Sequence, residues 1–246
     1  MALIDNCIIP DWPAPKNVKA LQTTRNGGVS IAPYSSLNLG SHVGDAPLAV
    51  AHNRQLLSPL LPSEPVWLNQ VHGMAVANAG MAGCLPQADA CSASRAGAVC
   101  VVMTADCLPV LLCDERGSVV CAVHAGWRGL CAGILEQAVQ SMNVAPQNLM
   151  AWLGPAIGPQ AFEVGDDVRS AFIAGQPLAA AAFAAKIPGK WLADIYQLAR
   201  LRLNAQGVAQ IYGGNWCTFT DSARFFSFRR DGNTGRMGTF IWMEYT

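Results

Sequence analysis

Four histidines stand in the 246 residues, and two of them close apolar runs: His72 in VWLNQVHG and His124 in AVHAGWRG. The others, His42 and His52, lie in NLGSHVGD and AHNRQ. Cys107 sits in VVMTADCLPV, in a break between two strand-like runs, beside Asp106 and ahead of Pro109. His72, Cys107 and His124 thus all stand at predicted strand ends, where a fold can bring them together. Two imidazoles and a thiolate are ligand types of a catalytic zinc, which takes three protein ligands and keeps its fourth position for water or substrate. The separations are long, unlike a CxxC or HExxH motif, so residue types alone leave other readings open. His124 can instead activate a Cys107 thiolate as a nucleophile, as in cysteine hydrolases. Each side chain can also be an ordinary core or hydrogen-bonded residue, although Asp106 in so apolar a stretch fits poorly with an inert Cys107.

Arginines add a second chemistry. Arg25 in TTRNGGVS, Arg128 just after His124, and Arg229, Arg230 and Arg236 around DGNTG all lie in glycine-bearing turns. There guanidiniums and backbone amides can converge on an anion, which leaves two readings open, a phosphate site and ordinary surface charge.

The elements that must position these residues follow from pattern. LPVLLCD (108–114) and SVVCAVH (118–124) read as a hairpin around Asp114-Glu115-Arg116-Gly117. After Gly129 the apolar positions Leu130, Ile134, Leu135, Ala138, Val139 and Met142 recur at helical spacing, with Pro146 beyond. VWLNQVHG predicts a short strand reaching a glycine, and NLMAWLG (148–154) a buried strand followed by a rigid PAIGP loop. DVRSAFIAG (167–175) and WLADIYQLARLRLNAQG (191–207) predict helices, the second capped by a left-handed Gly207. LAAAAFAA (178–185) reads as helix or surface loop without catalytic side chains. RFFSFRR and MGTFIWMEY flank DGNTGR as the two arms of a hairpin. Strands and helices alternate irregularly, so the fold class is α+β, a mixed sheet with helices packed on it.

Sixteen basic and sixteen acidic residues cancel, which argues against nucleic acid or an anionic membrane surface as partner and for a small molecule. The longest apolar run, 98–113, is broken by Thr104, Asp106 and Pro109 and is unsuited to spanning a membrane. MALIDNCIIPDW lacks the basic and apolar regions of a secretory signal, so a cytoplasmic location is expected. Nine cysteines, most in apolar runs, read as reduced core thiols.

Seven blocks, TTRNGGVS, SLNLGSHVGD, WLNQVHG, TADCLPVLL, VHAGWRG, LGPAIGP and FFSFRRDGNTGRMGTFIW, span nearly the whole chain. In this order they resemble the YfiH-type family, also known as DUF152, multicopper polyphenol oxidase or peptidoglycan editing factor. The resemblance implies one domain over residues 1–246, an α/β sandwich similar in its core to a bacterial toxin deamidase with a Cys-His site. It implies a metal site of His72, Cys107 and His124, with zinc as the metal and copper as an alternative occupant. The activity it implies is a purine nucleoside phosphorylase, turning adenosine, inosine, guanosine or methylthioadenosine plus phosphate into base and ribose 1-phosphate, together with adenosine deaminase activity. A peptidoglycan-precursor hydrolase acting on UDP-MurNAc-amino acid, a copper-dependent phenol oxidase and a non-enzymatic metal-binding module are the alternatives. A laccase needs about ten His or Cys ligands in clusters, and four histidines disfavour it. On this reading Asp106 is the general acid or base, while Arg25, Asn38, His42, Asn69, Gln70, Arg128, Arg229, Arg230 and Arg236 bind nucleoside and phosphate. The protein is expected as a monomer or homodimer.

Overall fold

The computed structural model describes residues 3–80 and 85–245. In chain order the elements are β1 (Cys7–Ile8), β2 (Val18–Thr23), α1 (Pro47–Gln55), β3 (Val76–Asn78), β4 (Ala90–Ala93), β5 (Cys100–Thr104), β6 (Leu108–Asp114) and β7 (Val120–Ala125). There follow α2 (Trp127–Ala132), α3 (Ile134–Ser141), β8 (Leu149–Leu153), β9 (Glu163–Gly165), α4 (Asp166–Gly175), β10 (Phe183–Ile187), β11 (Lys190–Ala193), α5 (Ile195–Ala205), β12 (Gln210–Gly213), α6 (Phe228–Asp231) and β13 (Met237–Met243).

The apolar runs form two stacked sheets. A six-stranded mixed sheet has the order β12-β8-β6-β7-β4-β3, and a four-stranded sheet the order β1-β2-β13-β5. Side chains alternate across each strand, so one strand serves two cores. Val110 and Leu112 of β6 pack with Ile134, Leu135, Ala138 and Leu198 of α3 and α5, whereas Leu111 and Cys113 meet Cys100, Val102 and Ile241 of the other sheet. The four-stranded sheet is covered on its far side by Leu37, Leu39 and Leu57. Strands buried on both faces read as continuous hydrophobic runs, which is why β6 and β8 were legible. The mixed sheets and flanking helices agree with the α+β expectation. The short β10-β11-β9 sheet lies apart in the topology.

Five expectations are corrected. RFFSFRR is not a hairpin arm, because β13 already pairs with β2 on one edge and β5 on the other. With no free edge to join, Phe225 and Phe226 fill the core and Ser227 caps the four-residue α6, its Oγ accepting from Arg230 N at 3.2 Å. The segment from Trp191 begins as strand, paired with β10 and β9. Its helix starts only where Asp194 Oδ1 accepts from Gln197 N at 3.0 Å, and it ends before Gly207 at φ 91°. Residues 177–182 form a 3₁₀ turn that runs into β10. VWLNQVHG makes only isolated bridges, Val66 to Cys100 and Asn69 to Gln87. The helix after His124 starts at Trp127, inside the motif, and Gly133 at φ 113° divides it into α2 and α3.

Asp194→Ala is expected to cost about 1 kcal/mol by removing the α5 cap. Thermal unfolding should register this as a fall in Tm of about 2–4 °C.

The three-residue passage between β5 and β6 matters most for the site. The chain leaves the four-stranded sheet at Thr104 and enters the six-stranded sheet at Leu108, with Asp106 held at φ 95° between them.

Candidate metal centre and cavity

Three separate elements meet at one end of the sandwich. Cys107 comes from the passage between the sheets, His124 from the end of β7, and His72 from the loop before β3, where its backbone takes φ 60°. One ligand atom from each lies within 4.8 Å of the other two, and Cys107 Sγ is 3.7 Å from His72 Nε2. The His72 and His124 rings meet edge to face, with centroids 4.7 Å apart. Glycine makes this approach possible: a Cβ on Gly126 would fall 2.6 Å from His72 Cδ2 and 3.1 Å from Cys107 Sγ. A Cβ on Gly129 would lie 2.9 Å from Gly73 O. The two glycines of HAGWRG therefore let the start of α2 lie against the His72 loop.

Asp89, which the sequence reading missed, ties these parts together. Fully buried just before β4, it receives the backbone N–H groups of Val71 (3.2 Å), His72 (2.9 Å) and Gly73 (2.6 Å). Its Oδ1 lies 2.8 Å from His124 Nδ1, and its carbonyl accepts from His124 N at 2.7 Å. Burial alone would raise its pKa; the His124 imidazole and the backbone donors outweigh that and hold it below the usual carboxylate range. With Nδ1 committed to Asp89, His124 presents Nε2 to the site. An acid wedged into the apolar run QADAC was the available signal.

The same balance governs Cys107. Desolvation would raise its thiol, yet the charges and hydrogen bonds of His124 and His72 bring it down to about 6. Burial would lower His124, but Cys107 and Asp89 raise it to about 9. The pair therefore favours thiolate beside imidazolium, so Cys107 is primed either to bind a metal or to attack an electrophile. Burial pushes Cys113 up to about 12 and Cys7 up to about 11, so neither shares this character.

The triad lines a cavity of about 500 Å³ that also receives His42, Gln70, Asp106, Arg128, Arg229 and Arg236. Trp127, Ile157, Phe162, Ile195 and Phe228 supply its apolar wall. Not every predicted contact reaches it. Gln70 lines it, but its amide exchanges two 2.8 Å bonds with the Met103 backbone. Asp106 accepts from Thr218 Oγ1 at 2.6 Å and Arg229 N at 2.7 Å, so both oxygens are occupied and the geometry suits positioning better than proton transfer.

Four predicted contacts stand elsewhere. Arg25 donates to Ser35 O and Ser222 O and lies over Phe226. Arg230 donates to the Thr218, Phe219 and Phe225 carbonyls and pairs with Asp231. Asn38 is buried and braces the Gly40 and Arg236 backbones and the Asp45 carboxylate. Asn69 is exposed and bridges Gln87. Arg25, Arg230 and Asn38 are consumed by local structure because buried turns need their backbone groups satisfied.

Comparison with known proteins adds lineage to this geometry. A family model described as multi-copper polyphenol oxidoreductase laccase matches residues 19–244. The chain is 56% identical over 239 residues to purine nucleoside phosphorylase YfiH of Escherichia coli, covering 96% of this chain and 98% of that protein. It is 53% identical over 238 residues to a purine nucleoside phosphorylase of Pseudomonas aeruginosa, with coverage of 96% and 98%. The crystal structure of a Neisseria meningitidis DUF152 protein matches with TM-score 0.95 at 52% identity, over 98% of this chain and 100% of the other. YlmD from Geobacillus stearothermophilus matches with TM-score 0.87 at 33% identity, over 95% and 94% of the two chains. By its His-Cys-His cluster, its sandwich and these full-length similarities, the chain belongs to the YfiH (DUF152) family.

Proposed function

We propose that this protein is a cytoplasmic, zinc-dependent purine nucleoside phosphorylase, a single catalytic domain over residues 1–246 that also deaminates adenosine. The observation that carries the reading is a His72/Cys107/His124 cluster facing a cavity with an apolar wall and arginines, in a chain whose full-length relatives are named purine nucleoside phosphorylases. The residues fit a metal. His124 is oriented by Asp89, Cys107 favours its thiolate, and Gly126 leaves the ligands room to converge. Nitrogen and sulfur donors suit zinc, while copper binds such ligands more tightly by intrinsic affinity. Among the described residues this is the one such cluster of three or more potential ligands, far short of the multicopper centre that the family description suggests.

When bound, zinc supplies Lewis acidity toward negative charge developing on the purine, a chemistry shared by base release and deamination. The protein's own groups divide the other tasks. Phe162, Phe228 and Trp127 offer apolar and aromatic surface to a purine ring and exclude water. That exclusion lets phosphate rather than water reach C1′. The unpaired arginines hold the phosphate dianion, and Asp106 fixes the Arg229 backbone beside them.

Chromatography of zinc-loaded protein incubated with inosine or adenosine, with and without phosphate, tests this reading. Base release should scale with phosphate and yield ribose 1-phosphate, whereas conversion of adenosine to inosine should need none. If neither product forms, the reading fails, and the peptidoglycan-precursor hydrolase, with Cys107 attacking an amide carbonyl, takes its place.

A further inference from the structure

Three guanidiniums line the cavity, those of Arg128, Arg229 and Arg236. Among the described residues none of them forms an ion pair with a carboxylate. They differ in how they are held. Arg128 is exposed and lies over its neighbour Trp127 at 4.5 Å. Arg229 is exposed and lends Nη1 to Glu163 O at 3.0 Å. Arg236 is half-buried and fixed along its length. Its N–H donates to Asn38 Oδ1 at 2.9 Å, and its Nη1 donates to Thr234 O at 2.9 Å and Gly235 O at 3.1 Å. Its stem crosses Gly40, where a Cβ would fall 2.8 Å from Arg236 Cγ. One side of the guanidinium is thereby anchored, while Nε and Nη2 have no protein acceptor among the described residues.

Two more groups line the same cavity. His42 lines the cavity, and its pKa is lowered first by desolvation and then by the charges of Arg236, Arg54 and His124. The uncharged imidazole is thereby favoured, which leaves His42 a neutral hydrogen-bonding group in the cavity, and Arg236 forms no ion pair among the described residues. Thr104 also lines the cavity, is 1% exposed, and carries a buried hydroxyl with no hydrogen-bond partner. It lies opposite Met237 in the β5–β13 ladder, so Arg236 immediately precedes its strand partner. A desolvated hydroxyl without a partner is costly, and a pre-anchored guanidinium with open donors loses little entropy on binding an oxyanion. A tetrahedral anion bound by both groups would relieve both costs.

We infer that Arg236 and His42, with the Thr104 hydroxyl, form the phosphate subsite of this enzyme. The inference rests on the phosphorylase reading and assigns its second substrate a place. A phosphate oxygen forms the bond to C1′ as the C1′–N9 bond breaks. The purine leaves with that electron pair, and the proton of hydrogen phosphate ends on the purine. The same residues then hold the phosphoryl group of ribose 1-phosphate. This location departs from the sequence expectation that included Arg230, whose guanidinium is spent on carbonyls and Asp231.

The test compares zinc-loaded wild type with Arg236→Met, His42→Gln, Thr104→Val and Arg128→Met, with zinc content and Tm confirming each fold. Arg236→Met should raise the KM for phosphate about 10- to 100-fold, and that for ribose 1-phosphate in the reverse direction equally. Its KM for inosine should stay within about twofold, since the assignment gives Arg236 to the anion and the aromatic side chains to the base. His42→Gln and Thr104→Val should act in the same direction by about 3- to 10-fold. An unchanged phosphate KM in Arg236→Met, or a larger rise in Arg128→Met, overturns the assignment while leaving the phosphorylase intact. Calorimetric titration with inorganic phosphate decides the matter without turnover. Phosphate heat present in wild type and lost in Arg236→Met upholds the anion subsite even if no base is released. Equal heats in both, or none in wild type, overturn it.

Discussion

Cys107→Ser is expected to leave the protein without bound zinc and without either activity. The substitution keeps size and position but changes acidity. The Cys107 thiol stands at about 6, whereas a serine hydroxyl stays protonated in the same place. A zinc ligand must be deprotonated, so the variant offers two imidazoles and a neutral oxygen. Zinc affinity should fall by more than about 100-fold, since losing a direct ligand exceeds the 10- to 100-fold cost of losing an outer partner. Elemental analysis after gel filtration should give about one zinc per wild-type chain and essentially none in the variant. Equal zinc in both would remove Cys107 from the centre. Copper added to wild type should occupy the same ligands, so any oxidation it supports should vanish in this variant too.

Asp89→Asn is expected to have the next largest effect, and through two properties at once. The carboxylate receives three backbone N–H groups and the His124 ring, all at 3.2 Å or less. An asparagine amide keeps one acceptor oxygen and turns an NH₂ donor toward other donors. At least one buried donor then goes unpaired, at a cost of about 2 kcal/mol and a Tm lower by about 4–8 °C. His124 also loses the partner that fixes its ring, so zinc affinity should drop about 10- to 100-fold. Thermal unfolding of metal-free protein and competition against a chelator measure the two separately. A lower Tm with unchanged zinc affinity would reduce Asp89 to a purely structural brace.

The contrast between Cys107 and Asp89 shows where the sequence was legible. His72, Cys107 and His124 announce themselves by type and by standing at the ends of apolar runs. β6 could be bounded to the residue because both of its faces are buried. Asp89 gave a weaker signal, since its role depends on β4 pairing with β7, in a register that sets Ala90 against Val123. No local pattern encodes that register. Arg229 and Arg230 are adjacent and alike in sequence, yet neighbouring positions on the short α6 point different ways. One reaches the cavity, and the other is drawn to carbonyls at 218 and 219. Likewise, the apparent hairpin around DGNTGR failed because a long-range neighbour, β5, had already taken the edge of β13 that it required.

The passage from Thr104 to Leu108 has one further consequence. Cys107 directly precedes β6, His124 ends β7 and His72 stands in the loop leading into β3, so all three ligands hang on strands of the six-stranded sheet. An ion gripped by all three would act as a rivet holding the ends of those strands and the His72 loop together. Loading and folding would then share one equilibrium: at a free zinc level a hundred times its Kd, the native state gains about 2.7 kcal/mol. The resistance of the whole molecule to heat would follow the zinc supply, making durability and catalytic competence rise and fall together.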